Sequence, residues 1–242
     1  MNRILTTVLI ISGLASAVCA LTGDEVLERM RQATIAADRR VEAVMKITDK
    51  NHRVQERVLR MVMKGDEKIL VWFLKPADLR GVSFMSTGRE NMWVYLPAQG
   101  RVRRISGSAA EGSFGGSDFS YQEMANISFG NCQVQGEAVL TVRNGDSAYQ
   151  LLIDQQGKKS RLWVEKERFL PLQVEQLGNE AEVRKRITFA DFRQINGVWL
   201  PWLIRLENFS RGSVTELQLQ KAELNIGIKD SYFTEENMKQ GG

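Results

Sequence analysis

One histidine, two cysteines and a few closely spaced carboxylates are the residues of this chain best suited to catalysis. His52 stands in KNHRV, a turn-like stretch with no second histidine to help it hold a metal. Zinc needs several Cys or His side chains converging on one point, and the chain offers no such cluster. Glu165 and Glu167 lie two apart, so a strand would present both carboxylates on one face. An acid–base pair of that kind needs a cleft. Flanked by Lys166 and Arg168, these two read as solvated surface. No G-x-S-x-G elbow occurs to expose a nucleophilic serine. The stretch GSAAEGSFGGSD, from Gly107 to Asp118, carries glycines and serines but no following Lys-Ser/Thr, so it is no P-loop. Just before it, Arg101, Arg103 and Arg104 could touch phosphates, or could be the charges of a solvated edge strand. The expectation is a non-enzyme with no metal and no cofactor.

The elements that position these residues begin after a distinctive start. MNRILTTVLIISGLASAVCA has one early charge, an apolar run from Ile4 to Leu14, and small residues near Ala20. That is the pattern of a secretory signal peptide. The apolar run is shorter than the roughly 20 residues a membrane span needs. Lipidation at Cys19 is an alternative, though Val18 fits that processing poorly. Residues 1–20 are therefore expected to be a cleaved signal, and 21–242 a single domain. Cleavage leaves Cys132 as the one cysteine, so no internal disulfide is expected. The formal charge of +4 is mild and spread along the chain, unlike a nucleic-acid-binding domain.

TGDEVLERMRQATIAADRR reads as a helix capped by Thr22 or Asp24, with Val26, Met30, Ala33 and Ala37 on one face. Almost everything after it is strand-like. About ten or eleven strands follow at short spacing, with tight turns at Gly88–Asn91, Asn144-Gly145 and Asn196-Gly197. A loop of about thirty residues, Pro97 to Phe129, interrupts them, with a helical turn expected near Asp118–Met124 capped by Ser117 or Asp118. A short closing helix is expected in SYFTEENM. Many strands alternate: Ala43, Met45 and Ile47 share a face, as do Leu217 and Leu219, while Glu216, Gln218 and Gln220 face the other way. Such a sheet has one wet side and one apolar side. The chain holds few helices to cover the apolar one.

The segment MWVYLPAQGRVRRISGSAAEGSFGGSDFSYQE carries a longer pattern. Trp93, Tyr95 and Pro97 are followed by Arg103, Arg104 and Ile105. Then come Gly112, Ser113, Phe114, Gly116, Ser117, Asp118, Phe119, Tyr121 and Glu123. This resembles the signature of the outer membrane lipoprotein-sorting protein family, in a divergent branch of its LolA-like group. DFRQINGVWLPWLIRLEN and ELNIGIKDSYF resemble that family's C-terminal strands, so the resemblance covers nearly the whole chain after the start. It implies a mainly β (α+β) fold, an unclosed antiparallel β-barrel with helices across its concave face, LolA/LolB-like. It also implies a monomeric periplasmic carrier of acylated lipoprotein or another lipid. Such a carrier passes its cargo between an inner-membrane exporter and an outer-membrane acceptor. The family's functional arginine has no matching position here. The alternatives are an interaction subunit of an inner-membrane lipid exporter with no ligand of its own, and an enzyme of the lipid-binding class.

A carrier of this kind needs an apolar lining and a cover. Met45, Met61, Met63, Trp72, Trp93, Leu217 and Leu219 are the candidates for the lining. Methionine suits irregular ligands because its side chain is flexible. Phe114, Phe119 and Tyr121 are candidates for a hinged cover over the mouth, within residues 107–123. Arg103 and Arg104 at its base are candidates for contact with a headgroup or an acidic partner.

Overall fold

A computed structural model of the chain describes residues 21–240, except 89, 90, 128, 130, 131, 144 and 156. The signal-like start with Cys19 lies outside the described residues. So do Asn144 and two positions of the expected Gly88–Asn91 hairpin.

Helix α1 (Gly23–Thr34) starts where Thr22 caps it. The Thr22 side chain accepts from the Glu25 N–H, and the Glu25 carboxylate accepts from the Thr22 N–H, so two otherwise orphaned donors are satisfied. The helix ends earlier than the periodicity suggests. Arg39 and Arg40 instead pair with two neighbouring strands, and Ala37 is exposed. Val26, Leu27 and Met30 are its buried face.

Among the described residues, fourteen strands follow in one antiparallel sheet. The first six are β1 (Asp38–Thr48), β2 (Val54–Lys64), β3 (Lys68–Lys75), β4 (Ser83–Thr87), β5 (Met92–Leu96) and β6 (Arg101–Ile105). After a break come β7 (Gln133–Val134), β8 (Val139–Arg143), β9 (Asp146–Gln155) and β10 (Lys158–Glu165). The last four are β11 (Pro171–Leu177), β12 (Val183–Ile195), β13 (Val198–Asn208) and β14 (Ser213–Leu224). The order is β6-β5-β4-β3-β2-β1-β14-β13-β12-β11-β10-β9-β7, with β8 also on β9. The chain thus folds as two meanders joined where β1 pairs β14, and the sheet does not close. Register shifts at Glu42/Ala43, Val58/Leu59, Trp163/Val164 and Gln176/Leu177 add the local twist that curls it. Asn196 and Gly197, both at positive φ, make the tight turn between β12 and β13.

The count exceeds the expected ten or eleven because short strands carry too little pattern to be read singly. One of them, β6, lies inside the expected long loop, so Arg101, Arg103 and Arg104 belong to an exposed edge strand. Helix α2 (Tyr121–Ala125) is capped by Ser120, not Ser117 or Asp118. Helix α3 (Glu235–Lys239) closes the chain, capped by Thr234.

Both sheet faces are covered over part of their extent. The concave side holds the main core, including Ala43, Met45, Ile47, Leu217 and Leu219, with α1 and residues of the 110–134 segment packed on it. On the other side Val62, Leu70, Trp72 and Met85 lie under Ile228, Phe233 and Met238 of the C-terminal segment. The Trp72 indole N–H donates to the Asn237 carbonyl at 3.1 Å, and the Ser83 hydroxyl to that of Met238 at 2.9 Å. The Asp38 carboxylate accepts from the backbone N–H groups of Ile226, Gly227 and Ile228 and so turns the chain onto that face.

Candidate functional site

The interior of the half-barrel is divided along the strands. In the β1–β2 hairpin, Asp38 pairs Lys64 at one end and Thr48 pairs Val54 at the other. A partly open apolar pocket occupies the first end. Met30 of α1, Val41, Met61 and Met63 of the hairpin, and Leu217 and Leu219 of β14 line it. Phe129 and Phe189, whose rings lie 5.8 Å apart, also face it. The free space measures about 840 Å³, a figure that includes open solvent at the mouth. Arg31, Arg39 and Asp66 stand at its rim. The Arg31 guanidinium donates to the carbonyls of Phe129 (2.9 Å) and Cys132 (3.4 Å), tying α1 to the segment after α2. Arg39 Nε donates to Met63 Sδ at 3.2 Å. Burial pushes the Arg39 pKa down, and the Asp66 charge partly opposes this.

Four of the expected lining residues, Met61, Met63, Leu217 and Leu219, meet at this pocket. Met45 does not reach it. It points to the same concave face but lies further along β1, beneath other core residues, fully buried. Trp72 and Trp93 are on the opposite face of the sheet, in the cluster under the C-terminal segment. The reason is the two-residue period of a strand: Val71 and Phe73 face inward, so Trp72 between them faces out.

The glycine–serine stretch fills the second end of the half-barrel. Phe114 is 0 % and Phe119 2 % exposed. The Phe114 ring packs 5.2 Å from Phe73, 5.7 Å from Phe84 and 5.7 Å from Tyr121. None of Phe114, Phe119 and Tyr121 lines the pocket. The expected cover over the mouth is therefore placed as a plug at the far end, because its aromatic rings find a fully apolar site there. Gly115 allows the close approach. Its φ is +57°, and a Cβ at this position would come 2.5 Å from the Phe73 ring.

Polar anchors hold the plug. Asp118 has a side chain 1 % exposed. Its carboxylate accepts from the Ser213 hydroxyl (2.6 Å), the Thr215 hydroxyl (2.9 Å) and the Asn208 amide (3.3 Å), with Arg211 at 3.4 Å. The Lys185 ammonium donates to the Asp118 carbonyl at 2.8 Å and to Glu123 at 2.8 Å. Burial raises the Glu123 pKa, but the Lys185 charge and hydrogen bonds from Lys185, Ser120 and Gln176 outweigh it. They hold Glu123 below its ordinary value. Asp118→Asn keeps the shape but turns an amide against Arg211 and removes a charged acceptor. It is expected to cost about 1–3 kcal/mol of unfolding free energy, read by urea denaturation. A loss below about 0.5 kcal/mol would show that water replaces these contacts at no cost.

The other singled-out groups separate. His52 sits exposed in the β1–β2 turn at φ +62°. Glu165 is buried and accepts from Arg168 at 3.1 Å, whereas Glu167 lies exposed in the following turn. They do not share a solvated strand face, because β10 ends at Glu165. Cys132 is buried, and burial pushes its thiol up to about 11, away from thiolate chemistry. Among the described residues no group of three His, Cys, Asp or Glu could hold a metal ion. Among them too, no helix is long and apolar enough to cross a membrane.

An open antiparallel half-barrel with an apolar pocket beneath α1 defines the LolA-like class of fold. Solved structures of this shape include an outer membrane lipoprotein-sorting protein domain from Vibrio parahaemolyticus. It is 22% identical at a TM-score of 0.79, over 89% of this chain and 97% of that one. A LolA superfamily protein from Nitrosomonas europaea is 21% identical at a TM-score of 0.77, over 90% and 100%. A DUF1329 family protein from Desulfovibrio piger is 29% identical at 0.75, over 88% and 96%. A family model described as "Uncharacterized protein"-like matches residues 65–240, and the chain belongs to that family. No curated protein matches the chain.

Two site features escaped the sequence reading. Phe129 and Phe189 come from distant segments and meet only in the fold. Arg31 and Arg39 both fall in the stretch expected to be one helix, and nothing in their spacing marks a pocket rim.

Proposed function

We propose that this protein is a periplasmic carrier. It shields the acyl chains of a lipoprotein or another lipid during transfer toward the outer membrane. The apolar pocket between α1 and the concave sheet carries this reading. The signal-like start supports export. So does the likeness in fold to a structure described as lipoprotein-sorting.

The energetics favour such a site. Each methylene taken from water gains about 0.8 kcal/mol. An anchor of three acyl chains, with on the order of forty methylenes, is held in a membrane by roughly 30 kcal/mol. A pocket that removes most of that cost makes membrane-to-carrier transfer nearly neutral. No catalytic group is needed for the task. At roughly 30 Å³ per water-sized group, the free space takes fewer than thirty methylenes even with its mouth counted. Three chains therefore exceed the pocket as it stands, and a full anchor requires α1 or the residues after α2 to move.

Docking falls to the β6 edge in this reading, where Arg101, Arg103 and Arg104 are exposed. Replacing Arg103 and Arg104 by glutamate is expected to weaken transfer to anionic vesicles several-fold at low salt. The difference should vanish near 1 M salt, where the screening length is about 3 Å. A deficit unchanged by salt would point to folding instead of docking.

The direct test is native mass spectrometry with lipid extraction on protein purified from its own periplasm. Bound acyl lipid is the expected result. A clean apo mass that persists after adding acylated lipoprotein would reject the carrier. It would leave the interaction subunit of an inner-membrane lipid exporter.

A further inference from the structure

The pocket is apolar in its depth but carries charged residues at its rim. Among the described residues, Arg31, Arg39 and Asp66 are the ionisable ones lining it. Glu28 approaches Arg31 at 4.0 Å from outside the lining, with a side chain 58 % exposed, where pairing contributes little. Arg39 is half-buried on β1, opposite Met63 of β2, and lines the pocket. Its Nε donates to a thioether, a weak acceptor for a cation removed from bulk water. Asp66 offsets the burial of Arg39 only in part, and holding a cation against so weak a hydrogen-bond partner is costly unless a further anion completes the site.

Resting on the carrier reading, we propose that the pocket selects an amphiphile bearing one singly charged oxyanion next to its chain. The chain lies among Met61, Met63 and Leu219, and the oxyanion on Arg39 at the rim. Guanidinium suits this task because its planar fork matches carboxylate and phosphate oxygens. Asp66 keeps the empty rim near neutral and disfavours a doubly charged head. The head group is thus recognised at the pocket itself, and the exposed arginines of β6 are left for surface docking.

Two ligand pairs test this on the full chain by displacement of a hydrophobic dye. Dodecanoate against 1-dodecanol isolates a carboxylate head, and phosphatidylglycerol against phosphatidylcholine isolates a phosphodiester head. The wild type is expected to prefer the anionic member of at least one pair by about tenfold, as for a charge-assisted hydrogen bond. The preferred pair names the head. Arg39→Gln should erase most of that preference, Arg39→Lys should keep part of it, and Asp66→Asn should enlarge it. Equal binding within both pairs by the wild type would overturn the head-group inference and leave the carrier standing. Binding of no ligand at all would overturn both. Thermal unfolding of each variant separates lost selectivity from lost fold. If Arg39→Gln does not fold, the wild-type preference and the Asp66→Asn result decide.

Discussion

Phe114→Ala is expected to lose about 3–5 kcal/mol of stability, the range for emptying a large aromatic site in a core. For a chain of this size that lowers Tm by roughly 6–20 °C. The ring is completely buried and touches Phe73, Phe84 and Tyr121, so three aromatic neighbours lose their partner at once. Relaxation is limited, because Asp118 and Lys185 pin the same segment to β12, β13 and β14. The sequence reading took this residue as part of a hinged cover, which would loosen without unfolding the sheet. Chemical denaturation with a lipid-uptake assay on the same sample separates the two. A variant of near-normal stability and altered uptake would restore the cover. A destabilised variant whose folded fraction still takes up lipid supports the plug.

Leu219→Trp is expected to do the reverse, leaving the fold and removing the function proposed for it. Leu219 lies on β14 and faces the pocket. The indole can extend into space already free of atoms, so the overpacking cost should stay within about 1–3 kcal/mol. It would occupy the room of several methylenes. At about 0.8 kcal/mol for each one displaced, acyl-chain affinity should fall at least tenfold. Dye displacement by dodecanoate measures this, and the far-ultraviolet circular dichroism should not change. Unaltered affinity would place the lipid elsewhere on the molecule.

Where a property follows from local chemistry, the chain declares it. Thr22 and Glu25 announce the start of α1, and Asn196-Gly197 announces a hairpin, because caps and tight turns are built within a few residues. The alternation of Ala43, Met45 and Ile47, and of Leu217 and Leu219, shows which side of the sheet is apolar, since a strand has a period of two. With the resemblance carried by residues 92–123, this was enough for an open β half-barrel. The run KILVWFLK held a further signal that went unread. It is apolar at consecutive positions, which suits a strand buried on both faces, and β3 is covered by the plug on one side and the C-terminal segment on the other.

Which apolar side chains face free space, and which face one another, was decided by tertiary structure alone. Met45, Met61 and Met63 are equivalent by type and by strand face. The fold buries the first completely and leaves the other two at a pocket. Phe114 and Phe129 are both loop aromatics by sequence, yet one is a core anchor and the other lines the pocket. Hydrophobic burial is non-directional, so a pattern of apolar residues specifies that they leave water but not what they meet. The partner is set by long-range contacts, here Asp118 to Ser213 and Arg31 to Phe129, joining residues about a hundred positions apart.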